Sequence, residues 1–187
     1  DDVVRTNGPT EARKVIVSEA LKYLDALAAT SAEPTLALEL AEGYLRVGDI
    51  QGNQATANLG DREGAAASAR RALALAEPLA EQAALRARAL GSIVRAHRLL
   101  AMVLPKPASV EAGRRAVASA ERWRQFDASD AARGALAAAN FNLAAQLSGP
   151  EGRPYWEAAG AEYEALLAED PGNLVWMRNV ALVDKYL

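Results

Sequence analysis

Cysteine is absent from the 187 residues, which excludes disulfides, thiolate metal sites and cysteine nucleophiles. That absence does not disclose the compartment. Histidine occurs once, as His97. A lone imidazole flanked by Arg95 and Arg98 falls short of the three or four ligands that zinc requires. Aromatic residues make up only 5% of the chain, so large rings cannot dominate the core. Excess positive charge is also missing: 21 Lys and Arg stand against 24 Asp and Glu, unlike a dedicated nucleic-acid binder. No apolar run approaches the roughly 20 residues that cross a bilayer, and no direct membrane contact is expected of this segment. The opening DDVVRTNGPT lacks the basic-then-apolar layout of a secretory signal. It also lacks an initiator methionine, and the chain reads as a segment excised or processed from something longer. Alternating β-branched runs, the mark of strands, are not found.

Alanine is what the chain has in quantity, and with leucine, arginine and glutamate it favours helix. The periodicity predicts an all-α protein of about eight helices in one domain spanning residues 1–187. A first helix over 10–30 would start at Thr10 as N-cap, with Val15, Ala20, Leu21, Leu24, Leu27 and Ala28 forming its apolar stripe. Pro34 opens a second, with Leu36, Leu40, Ala41, Tyr44 and Val47 inward and Gly48 as its C-terminal stop. A third, capped by Asp61 or its neighbour, runs to Glu77 and turns Ala65, Ala69, Ala72, Leu73 and Ala76 to one side. Further helices are expected over 80–104, 108–126, 130–147, 155–169 and 174–187, separated by proline- and glycine-bearing turns.

Gly-Asp occurs twice, at Gly48-Asp49 and Gly60-Asp61. Leu40, Ala41 and Tyr44 before the first, and Ala65, Ala69 and Ala72 after the second, resemble the two helices of a tetratricopeptide repeat. On that reading one helix-helix turn carries an inserted loop over 50–59. Helix pairs 34–77, a divergent 80–126 and 130–169 would then stack, and 174–187 would be the first helix of a further repeat, with Val180-Ala181 in the place of Leu40-Ala41. Small residues at the contacts let such pairs approach closely. An irregular helical bundle is the bland alternative.

A narrower likeness lies in EALKYLDALA, LELAEGYLRVGDIQGN and ANLGDREGAAASARRAL. Together, Glu19 to Leu73 resembles the tetratricopeptide region of bacterial Ser/Thr protein kinases of the eukaryotic-like type. In those proteins the region follows a kinase domain and a membrane-spanning helix, which implies an extracytoplasmic, non-catalytic segment of a signalling protein. The Gly-rich loop, His-Arg-Asp and Asp-Phe-Gly motifs of a kinase are not in this chain.

No constellation suggests an enzyme, a metal site or a cofactor. Glu162/Glu164, two apart on a helix, do not share a face, and Glu169/Asp170 stand near a helix end. The inserted loop over 50–59 is one functional candidate: it could form a binding loop, but Asn53 and Asn58 border the Gly-Asp turns and suit a structural role. Between Leu85 and Arg124, nine basic residues face only Glu111 and Glu121, a surface for an acidic or phosphorylated peptide, for the acidic end of another subunit, or simply for solvent with local ion pairs. Lining the second helix up with the fourth puts Arg46 and Arg98 in equivalent places on an inner surface, with Glu42 and Asn140 facing the same hollow. These four are the candidate partner-binding residues. The expected function is a protein–protein interaction or sensing module, with self-association open. A free-standing adaptor is the first rival; the second is a helical domain enclosing an apolar ligand among Trp123, Phe126, Phe141 and Trp156.

Overall fold

The computed structural model describes residues 2–30 and 33–187, with side chains from Thr10 onward; the Ser31-Ala32 break expected after the first helix lies outside them. Every long element among the described residues is an α-helix: α1 (Asp2–Thr30), α2 (Pro34–Gly52), α3 (Arg62–Ala76), α4 (Arg86–Val103), α5 (Ala108–Phe126), α6 (Asp130–Gln146), α7 (Arg153–Glu169) and α8 (Leu174–Asp184). Short 3-10 turns at Glu77–Leu79 and Gly149–Glu151 complete the set.

Local chemistry starts several of these helices. The Glu33 carboxylate accepts from the N–H groups of Thr35 and Leu36 at the head of α2, Asp61 accepts from Gly64 in α3, Ser129 accepts from Ala132 in α6 and Asn173 accepts from Val175 and Trp176 in α8. Each satisfies donors that the helix itself leaves unpaired.

Each helix packs against the next along the chain, and α2, α4 and α6 also touch in succession. Helices α2, α4 and α6 thus form one layer, which Trp176 of α8 joins at Gly134, while α3, α5 and α7 each pack against the helices that flank them in the chain. Alanine makes the seams. Ala65, Ala69 and Ala72 of α3, Ala116 and Ala120 of α5, Ala137 and Ala139 of α6 and Ala159 of α7 are all fully buried. Larger groups fill the gaps in three successive clusters. Tyr44, Leu45, Leu90 and Leu99 join α2 to α4, Val94, Val117 and Leu143 join α4 to α6, and Tyr163, Leu166 and Val183 join α7 to α8. The first helix is held through the Tyr44 hydroxyl, which donates to Asp25 at 2.6 Å; Asp25 also pairs with Arg71 of α3 at 3.4 Å. Burial, then that carboxylate, pushes the Tyr44 phenol up to about 12.

The structure corrects several boundaries. Helix α1 begins well before Thr10, which is therefore no cap. Val17, not Val15, is buried on α1, while Val15 is exposed. Helix α4 begins at Arg86 instead of residue 80, after a run of turns that follows Pro78. Ala181 is exposed whereas Ala41 is buried, and Val183 carries the contact of α8 with α7.

The largest correction concerns Gly48. It is helical, and α2 continues to Gly52. The loop is therefore 53–61, shorter than the insertion expected over 50–59. Gly60, with φ +74, supplies the left-handed turn, and Asp61 caps α3 as expected. Asparagines close the loop locally: Asn58 Nδ2 donates to the carbonyls of Asn53 and Thr56, and its Oδ1 accepts from Gly60 N–H. Gln54 and Arg62 reach across to the carbonyls of Met102 and Val103 at the end of α4.

Gly48 serves close approach, not a turn. A Cβ there would stand 2.7 Å from Leu99 Cδ2 and 3.3 Å from Ser68 Cβ. Gly48→Ala is expected to lower unfolding free energy by about 1–2 kcal/mol despite alanine's better helix propensity. In a Leu99→Val background the cost should shrink, and urea titrations of the four proteins in that cycle read the coupling directly.

Candidate functional site

Three adjoining hollows open along the even-numbered helices. The first, of about 480 Å³, lies between α4, the end of α5 and α6. The second, of about 330 Å³, continues towards α8, and a third of about 100 Å³ lies between α2 and α4. Arg98 lines all three.

Spacing explains why these side chains meet. Helix α2 faces α4 in a 46-residue register, set by two ion pairs one heptad apart: Glu42 to Arg88 at 2.9 Å and Asp49 to Arg95 at 3.2 Å. Further along α4, Arg98 Nε donates to Asn142 Oδ1 of α6 at 3.1 Å. Small residues on α6, among them Gly134, Ala135 and Ala138, keep the floor low. Gly134 is required there, because a Cβ would stand 2.6 Å from the Trp176 ring. Tyr163, Arg178 and Asn179 complete the far wall. Burial pushes the Tyr163 phenol up to about 12 and lowers the pKa of the Arg98 guanidinium; the latter still carries its charge at any ordinary pH.

Two of the four expected contact residues are at this site and two are not. Glu42 and Arg98 line it. Arg46 is exposed and is not part of these walls. Its expected equivalence to Arg98 assumed a 52-residue offset, six more than the observed register. Asn140 is buried and does not line the hollows, since residues two apart on a helix do not share a face; Asn142 lines the second hollow instead. Asn53 of the loop lines two of the hollows, and Tyr163, Arg178 and Asn179, which line the second, were not among the expected contact residues. The signal for α6 was present in the small residues at 131, 134, 135 and 138, which place 142 and not 140 on the same stripe.

Most of the central basic charge is locally neutralised. Arg115 pairs with Glu111, Arg122 with Glu81 and Arg124 approaches Glu162. Glu162 and Glu169, each a member of an acidic pair in the sequence, both bind Arg133, at 2.6 and 2.7 Å. The four aromatics proposed for an apolar cavity do not converge. Trp123 lines the first hollow, Phe126 is exposed beneath Arg86, and Phe141 meets Trp156 edge-on while Trp156 stacks on Tyr186. Among the described residues no group of three or more acidic or imidazole side chains is placed to hold a metal ion, and no helix is long and apolar enough to cross a membrane.

Comparison with protein-family models, with curated proteins and with solved structures finds no match to this chain.

His97 lies away from these hollows, buried between α4 and α5, and its Nδ1 has no hydrogen-bond partner. Burial, then the charge of Arg115, lowers its pKa to about 4. The unfolded imidazole titrates near 6.5, so the unfolded chain binds the proton more tightly. Stability from the neutral imidazole is complete above about pH 6.5, declines as pH falls and is exhausted near pH 4. The loss over that window is on the order of 3 kcal/mol. Replacing His97 with Leu is expected to flatten this part of the stability–pH curve; equal slopes for both proteins would contradict the assignment.

Proposed function

We propose that this chain is a protein–protein interaction or sensing module that holds an extended partner segment along the even-numbered helices. The observation that carries this reading is the meeting of three open hollows at one arginine. Extended ligands suit such a surface, because a row of connected depressions offers side-chain sites at intervals along a preformed wall. The layer of alternate helices supports a tetratricopeptide-like superhelix of stacked pairs. With it goes the resemblance of Glu19–Leu73 to the corresponding region of bacterial Ser/Thr kinases. In that setting the module is the non-catalytic, extracytoplasmic part of a membrane-anchored kinase, and partner binding there biases a distant catalytic domain.

Site-specific photo-crosslinking tests the surface whatever the partner is. A photoreactive residue at Asn179 is expected to give adducts in cells, and the same residue at Arg114, beside the α6–α7 turn, is not. Arg98→Glu should reduce the Asn179 adducts at least fivefold, since it reverses the charge at the centre of the site. Adducts at Arg114 alone, or at Asn179 with no response to Arg98→Glu, would place the working surface elsewhere.

A further inference from the structure

Three arginines of α4 reach across to a neighbouring helix, and their partners differ. Arg88 and Arg95 meet carboxylates, Glu42 and Asp49. Arg98 meets the neutral amide of Asn142, through Nε alone, and no carboxylate lies within ion-pair distance of it among the described residues. Its terminal nitrogens are left with unused donors in a fixed fork, the geometry that carboxylates fit in a bidentate way. A partly buried charge at the junction of three hollows, with no ion-pair partner and only the more distant Asp49 to offset it, suits an anion.

The chemistry beside it is apolar. Trp123 forms one wall of the 480 Å³ hollow, with Ala87, Ala131 and Ala135 around it. Gly91 brings the α4 backbone against the ring, where a Cβ would lie 3.1 Å from Trp123 Cη2. That volume is within the range of sites that enclose a bulky side chain or small ligand.

We infer that the hollow recognises a carboxylate and a bulky apolar side chain together, the first on Arg98 and the second against Trp123, presented by an extended peptide segment. This rests on the reading of the surface as a peptide-binding site. The charge arrangement favours a carboxylate over a phosphate. One guanidinium is open, and a dianion would sit near Glu42 and Asp49, which line the adjoining walls and repel it. In an extended segment, residues two apart point the same way about 7 Å apart, so glutamate and tryptophan separated by one residue make a suitable probe.

The probe is an acetylated, C-terminally amidated glycine–serine peptide bearing that pair, titrated into the full chain by calorimetry at low ionic strength. Its Glu→Gln and Trp→Ala versions are expected to bind at least fivefold more weakly to the unaltered protein, a comparison that needs no variant to fold. Arg98→Gln should erase the preference for Glu over Gln, whereas Arg95→Gln should keep it. A further peptide whose only carboxylate is its free C-terminus identifies the source: tighter binding assigns the seat to a chain end, weaker binding to an acidic side chain. Equal affinity for the Glu and Gln peptides would overturn the carboxylate seat and leave a peptide groove standing. No binding of the parent peptide at about 1 mM would overturn the inference as well, while the Asn179 crosslinks, which do not depend on peptide composition, would still report on the surface itself.

Discussion

Where α2 passes between α3 and α4, a methyl group on Gly48 would stand 2.7 Å from one side chain and 3.3 Å from another. The neighbouring side chains there leave no room for even a methyl group. The same economy of size runs through the array in the buried alanines of α3, α5, α6 and α7. Alanine removes little apolar area from water by itself, so cohesion depends on many short contacts between neighbouring backbones and methyl groups. Leucine and tyrosine are needed only in the gaps between seams. Close spacing keeps α2, α4 and α6 in one layer, and the hollows lie along that layer.

The site inherits its geometry from this spacing. With α2 and α4 held in a 46-residue register, one heptad along each helix brings a carboxylate to an arginine twice. Between α4 and α6 the partner of Arg98 is an amide instead. Surface ion pairs of the first kind contribute little individually, but they occupy the charges of Arg88 and Arg95. Arg98 is left as the centre of positive potential in the hollows. Trp123 and Trp176, each laid against a glycine, give that centre an apolar surround where fixed charge acts more strongly than in open water.

Much of the fold was legible in the sequence, because helix periodicity and turn residues act locally. Most helix boundaries fall within a few residues of those expected, and Asp61 caps α3 as its position suggests. The failures share a cause. Gly48 before Asp49 has the local chemistry of a helix stop, yet its role is set by Leu99, some fifty residues away. Arg46 and Asn140 were chosen by aligning helices on sequence pattern, and the register that decides which residues face the hollow is tertiary. Burial of α2 against α1, α3 and α4 also brings in Leu38, Leu45 and Gln51, too many for a single amphipathic stripe. Local rules find elements; which face looks into the hollow depends on partners that the local pattern does not name.

Arg98 is held opposite an amide, and no carboxylate stands at ion-pair distance from it among the described residues. The most direct measurement is the stability of Asn142→Asp, which places a carboxylate where Arg88 and Arg95 already have one. A gain of about 1 kcal/mol in urea unfolding, diminished by salt, is expected for a partly buried pair. An unchanged or reduced stability, with no dependence on salt, would show that the charge of Arg98 is already satisfied within the fold.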